Sequence, residues 1–240
     1  MTDEPLGADE IMDGVYRALC THGYAELTMQ DIADECDKSK SLLHYHYDTK
    51  ADLLVAFLDR LITDYENRLA READDPPLER LVMFIARFVF TPEQTDRESF
   101  HLALLEMRSR GPYDERIREQ LDRSDEVLRE TVADILQDGI EEGVFEPVDV
   151  DRMAAHIVAT LDGARTRQIT LGDGPAGGTY TRIVAEETLE QTIEPLLTDG
   201  AELLSLSDAL ETLERQSQEA ADGSSKVSNT DDSTARSQES

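Results

Sequence analysis

The chain has no tryptophan, only two cysteines, and only four lysines among its 23 basic residues. Two cysteines, Cys20 and Cys36, exclude a disulfide scaffold and fit a reducing, cytoplasmic setting. Packing in a core is their default role, and redox sensing is the alternative. Long apolar runs are missing too, so no transmembrane helix is expected. The stretch Met1–Glu10 is acidic and lacks the apolar segment of a signal peptide. Gly-x-Ser-x-Gly, a phosphate-binding glycine loop, His-Glu-x-x-His and Cys-x-x-Cys are all absent, so nothing indicates an enzyme, a cofactor or a metal. Acidic pairs are too frequent here to signal catalysis.

Acid is what the chain has in excess: 53 Asp and Glu give a formal net charge of −30 over 240 residues. A hydrophobic share of 39% is enough for a core and excludes a wholly disordered chain. Acid excess with scarce lysine resembles the proteins of salt-in halophiles, here pointing to a halophilic archaeon. Carboxylates hold water where salt competes for it, and like charge is screened within roughly 3 Å at 1 M. An acidic mesophilic protein is the plain alternative. Three of the four lysines, Lys38, Lys40 and Lys50, fall in one short segment. Asp37–Lys50 sums to +1 and also holds His44 and His46. A polyanion has little reason to touch any other part of such a surface.

The periodicity is helical throughout, with Gly and Pro mainly at helix ends and no alternating strand pattern. It predicts an all-α fold of about nine helices. Helix one runs Ala8–His22 with Ile11, Val15, Ala18 and Leu19 on its apolar face, and Gly23 sits at its C-cap. Thr28 caps helix two, with Asp31 placed for a capping box. After a break at Asp37-Lys38-Ser39 comes a short helix, Lys40–His46, and then a long one from Lys50 toward Ala70. Further helices are predicted at Leu78–Phe90, ended by Thr91-Pro92, and at Arg97–Ser109, Asp114–Glu142, Asp149–Leu171, Tyr180–Leu197 and Ala201–Gln216. The Gly172–Gly178 loop precedes Tyr180–Leu197. The last twenty or so residues are polar and read as a disordered tail.

Helices two and three have helix-turn-helix spacing, with Ala33 at their crossing and Ile32 and Leu43 in the core between them. Lys40, Ser41, Leu42, Tyr45 and His46 are then exposed, on a surface of major-groove size. Residues 11–58 resemble the N-terminal domain of TetR/AcrR-family transcriptional regulators. The likeness is carried by Gly23-Tyr24, Thr28, Asp31-Ile32-Ala33, the stretch Ser39-Lys40-Ser41-Leu42-Leu43-His44-Tyr45-His46-Tyr47-Asp48-Thr49-Lys50, and Leu53-Leu54. The chain departs from the family pattern at Asp37 (a glycine), Lys38 (a valine), His44 (a tyrosine) and Leu42 (a small polar residue). Ile140–Gly163 is similar to the C-terminal domain of the choline-responsive repressor type.

The resemblance implies an N-terminal three-helix helix-turn-helix DNA-binding domain at 1–60, a ligand-binding and dimerisation domain at 61–198, and a short helix with an acidic tail at 199–240. It implies a cytoplasmic, ligand-responsive repressor that binds double-stranded operator DNA as a homodimer, without a membrane. Residues implied to meet DNA are Thr28, Ser39, Lys40, Ser41, Leu42, His44, Tyr45, His46 and Lys50. An unknown small-molecule effector would sit among Phe84, Phe88, Phe100, His101, Leu104 and Met107, which would equally make a plain core. His44 and His46 at i, i+2 point to different sides of a helix and suit no shared metal. Gly163 with Ala154, Ala155, Ala159 and Ala164 permits close helix approach, either within one subunit or across a dimer. An acidic interaction protein that no longer binds DNA is the competing reading, which Asp37, Lys38 and His44 favour.

Overall fold

The computed structural model describes residues 8–91, 95–172, 174 and 179–218. The predicted tail, Pro92 and most of the Gly172–Gly178 loop lie outside the described residues. Within them the regular structure is helical, and one isolated bridge joins Phe145 to Leu197. The elements are α1 (Ala8–Glu26), α2 (Met29–Glu35), α3 (Lys40–His46), α4 (Lys50–Arg71), α5 (Pro77–Ala86), α6 (Thr95–Arg108), α7 (Glu115–Glu141), α8 (Val150–Leu171), α9 (Tyr180–Thr188) and a last helix, α10 (206–218). No described helix is long and apolar enough to cross a membrane.

Two cores divide the molecule. The first joins Ile11, Val15 and Leu19 of α1 to Ile32, Ala33, Leu43, Leu53, Leu54 and Phe57. The second joins Leu81 and Ile85 of α5 to Leu136 of α7, Ile157 and Leu161 of α8 and Ile193. Helix α4 runs through both, with Leu54 and Leu58 in the first core and Tyr65 packed against the second. Helix α6 crosses too: Phe100, Ala103 and Met107 belong to the first core, and α6 lies along α1. The C-terminal α10 buries Leu206, Ala209 and Leu210 in the second core, so that unit extends past residue 198.

Three helices end differently from their predicted bounds. The α1 pattern continues to Glu26 across a kink at Gly23, whose φ of 66° is a backbone state open to glycine. Helix α5 stops at Ala86, four residues short of Phe90. Phe88, Val89 and Phe90 are all buried beyond that end, and the Phe88 and Val89 amides turn to the Ile85 and Ala86 carbonyls three residues back, a tighter turn than the α-helix makes. The chain leaves the helix there to place them. The helix from Tyr180 loosens after Thr188 into a wide turn at Leu189–Ile193 and a tight one at Glu194–Leu196. Pro195 has no N–H to give the Gln191 carbonyl and crowds it, so a regular helix cannot continue.

Candidate nucleic-acid interface and effector cavity

The helix-turn-helix is fixed by side-chain caps. The Thr28 hydroxyl accepts from the Gln30 and Asp31 amides, and the Asp31 carboxylate accepts from the Thr28 N–H at 2.8 Å. Those hydrogen bonds hold the Asp31 carboxyl below the usual range. Helix α2 ends at Cys36, and Asp37 then takes a φ of 50°. Asp tolerates that state, so the departure from glycine is accommodated. The Lys38 N–H donates to the Ala33 carbonyl at 3.0 Å and closes the turn. Ser39 caps α3 by accepting from the Leu42 amide. Leu43 and Ile32 are fully buried between the helices, with Ala33 beside them.

Helix α3 thereby exposes Lys40, Ser41, His44, Tyr45 and His46. Tyr45 is 83% exposed and Leu42 36%. The Tyr45 and His46 rings meet edge to face at 5.0 Å. Thr28 lies exposed at the start of α2.

Charge is arranged less simply than a cluster of three lysines. Lys38 is ion-paired with Glu10 of α1 at 2.5 Å, so it closes the place where a valine would pack. Lys50 turns inward: its Nζ donates to the Tyr24 carbonyl at 3.1 Å and the Leu27 carbonyl at 2.7 Å, with the Tyr24 ring beneath it. Burial, and then the Arg110 cation, lower its pKa. Lys50 therefore fastens the α1–α2 corner, which corrects the expectation that its ammonium faces phosphate. Of the three lysines, Lys40 alone has neither an ion pair nor a side-chain hydrogen bond among the described residues.

The same corner is tied to the second core. The Glu106 carboxylate of α6 accepts from the Tyr24 and Ala25 amides at 2.8 and 3.0 Å. Arg116 and Arg123 of α7 pair with Asp52 and Asp59 of α4, and Arg123 also reaches Glu66.

Between α4, α5, α6, α7 and α8 lies a cavity of two adjoining lobes, of about 140 and 260 Å³. Both are walled by Leu61, Ile62, Phe88, His101, Leu104 and Arg165. Phe84 and Phe100 line the larger lobe. Met107 does not belong there: one turn of α6 beyond Leu104, it is fully buried in the first core. His101 is held neutral, its pKa pushed down to about 2 by burial and the nearby Arg165, Arg97 and Arg108. Among the wall residues that sequence reasoning missed are Tyr65, Gln120 and Arg165. The Tyr65 hydroxyl and the Gln120 side-chain oxygen are buried with no partner at good hydrogen-bond geometry. The legible signal was Arg165, a cation inside the small and apolar run of α8. No group of His, Cys, Asp and Glu suited to a metal occurs among the described residues. Burial raises both thiols, Cys20 and Cys36, above the usual range, which suits packing.

Comparison with known proteins agrees with this division. Residues 11–57 match the family of bacterial regulatory proteins of the tetR type. Residues 77–198 match the C-terminal domain of BetI-type transcriptional repressors. A TetR transcription regulator from Haloarcula marismortui is 38% identical, with a TM-score of 0.68 over 79% of this chain and 97% of that one. The transcriptional repressor AcnR of Corynebacterium diphtheriae is 24% identical over 72% of this chain and 86% of its own. A transcriptional regulator from Saccharomonospora viridis, solved in complex with choline, shares the fold at 23% identity and a TM-score of 0.67, over 81% of this chain and all of that one.

Proposed function

This chain belongs to the TetR family and is a DNA-binding transcriptional repressor, and from that premise we propose how it reads DNA and releases it. Helix α3 enters the major groove, with Ser39, Lys40, Ser41, Leu42, His44, Tyr45 and His46 as the reading surface. Thr28 meets phosphate at the start of α2. Lys50 acts through the corner it fastens. The observation that carries this reading is the α3 face, which keeps a large aromatic and an unpaired lysine in solvent while Leu43 anchors it from behind.

Two such faces related by a two-fold axis match an approximately palindromic operator with half-sites about one turn or more apart. The pairing surface we assign to α8. Ala154 and Ala164 are buried within the subunit, whereas Ala155, Ala159 and Gly163 form an exposed stripe at four-residue spacing. A Cβ added at Gly163 meets nothing within 4 Å. Gly163→Arg should therefore leave the subunit folded and convert the dimer to monomers in light scattering. A variant that stays dimeric moves the pairing surface elsewhere.

Release runs through α6. Its Phe100, His101 and Leu104 wall the cavity, while Phe100, Ala103 and Met107 pack under α1 and Glu106 caps the Tyr24 turn. A small molecule in the cavity shifts α6 and turns the reading heads apart. Only differential affinity for the two arrangements can do this, typically about 1–3 kcal/mol of coupling. The DNA-binding unit is residues 8–60 with the inner face of α6, and the effector and dimer unit is 61–198 with α10.

With so few unpaired lysines on the reading face, counterion release contributes little, and the salt dependence of binding is shallow for a protein of this kind. Footprinting of its own upstream region across a KCl series tests the reading. Lys40→Ala should weaken protection and reduce the salt slope by about two, one phosphate contact per subunit. Unchanged protection and slope would remove α3 from the interface, and a wild-type slope matching eight or more released ions would contradict the shallow dependence. The competing idea, an interaction protein without DNA binding, predicts no footprint at all.

A further inference from the structure

The larger lobe of the cavity has an unusual electrostatic make-up for so acidic a protein. Arg68, Arg87, Arg97 and Arg165 line it, and among the described residues no carboxylate does. Arg87 is neutralised by Glu72 at 2.5 Å. Arg165 forms no ion pair among the described residues. Its guanidinium donates to the Arg87 carbonyl at 2.6 Å and the Phe88 carbonyl at 3.3 Å, both neutral acceptors. Arg165 is partly buried and lines both lobes. Leaving a partly buried cation without a counter-charge is costly unless something completes the site.

We propose that the effector of this chain is an amphipathic anion, a monocarboxylate on an apolar body, whose head sits on Arg165 and the Tyr65 hydroxyl. This deepens the effector-cavity reading given above and rests on it. Two donors lie there: the planar guanidinium fork, which suits a carboxylate, and the Tyr65 hydroxyl, buried and with no partner at good hydrogen-bond geometry, Thr131 being the nearest polar side chain. Leu61, Ile62, Phe84, Leu104 and Leu128 provide walls for a hydrocarbon body. Burial and the adjacent Arg97 push the Arg165 pKa down to about 9, against the opposing pull of Asp162. A bound anion relieves that penalty.

The wall suits a quaternary ammonium less well. Such a ligand rests on open aromatic faces, and one of them, that of Phe88, is covered by the Arg165 guanidinium, 4.0 Å from the ring centroid. A second cation would meet Arg165 with no carboxylate among the described residues on the wall of that lobe.

The full chain, in molar KCl, is titrated by calorimetry with octanoate, octanol, octyltrimethylammonium and choline, and each compound is also tested for release of the upstream DNA fragment. Octanoate is expected to bind at least about tenfold tighter than octanol, the increment of a charge-assisted hydrogen bond, and to release DNA. The two cations should bind more weakly than octanoate. Arg165→Gln should remove the octanoate advantage and leave octanol unchanged. If that variant does not fold, Tyr65→Phe serves instead, with octanoate weakened several-fold and octanol unaffected. Octanol or a cation binding as well as octanoate overturns the anion assignment while leaving the effector cavity standing. No binding by any of the four overturns both, with DNA binding untouched.

Discussion

Phe100→Ala is expected to destabilise the protein by about 3 kcal/mol, the lower end of the roughly 3–5 kcal/mol range for trimming a buried phenylalanine. The ring is 7% exposed and packs on Tyr16 at 4.7 Å and edge to face on Phe57 at 5.9 Å. One side therefore belongs to the first core, and the other borders the larger lobe of the cavity. The void left by alanine would merge with space already there, which is why the cost falls toward the low end. Urea denaturation at fixed KCl measures it, and a loss below about 1 kcal/mol would mean that α6 does not hold the reading domain. The functional consequence is separate. In the surviving folded protein, whatever releases the DNA should release it less, because the ring is the shortest path from cavity wall to α1. Leu104→Ala, on the cavity side of α6, is the control. It should change effector affinity with a smaller loss of stability.

The two halves of the molecule were legible to different degrees. Thr28 announced its helix start because a hydroxyl capping the following amides is a local interaction, readable within four residues, and Ser39 and Thr49 cap α3 and α4 in the same way. The α3 bounds, Lys40–His46, follow from the same local rules. What escaped is set by long-range partners. Lys38 and Lys50 read as free charge, yet one meets Glu10 across the sequence and the other meets carbonyls more than twenty residues away. Met107 has the same character as Leu104 in the sequence, and only the packing of α6 on α1 separates core from cavity. The end of α5 was hidden for a related reason. Phe88-Val89-Phe90 looks like a helix rich in apolar residues until two surfaces compete for it. The Arg87 and Phe88 carbonyls released there are taken by Arg165. Distant side chains decide such places, and single-sequence periodicity carries no record of them.

Gly14→Ala is expected to leave the fold in place and reduce operator affinity by at least about thirtyfold. Gly14 is buried on α1 against the end of α2. A Cβ built there would lie 2.6 Å from the Cys36 Cβ, and 3.2 and 3.3 Å from the Cys36 backbone nitrogen and Cα. Alanine gains up to about 1 kcal/mol in helix propensity, against about 1–3 kcal/mol for overpacking, so net stability falls only modestly. The relief must come from backbone, however, because a flexible side chain is not what blocks the site. Cys36 is the last residue before Asp37, whose left-handed backbone aims α3. Pushing Cys36 away tilts the reading helix in both subunits. Misaligning one side chain from its base edge costs about 1–3 kcal/mol of recognition in a half-site, and the two-fold axis doubles it. Gly163→Ala, whose added methyl meets nothing within its own subunit, provides the contrast in stability: it should gain stability within the subunit where Gly14→Ala loses it. Adding Cys36→Gly to Gly14→Ala removes the shortest of the clashes and should restore part of the binding. Titration of the upstream DNA fragment at fixed KCl compares wild type, Gly14→Ala and the double variant, and urea denaturation compares the stabilities. Wild-type affinity in Gly14→Ala would show that the α1–α2 contact does not aim α3.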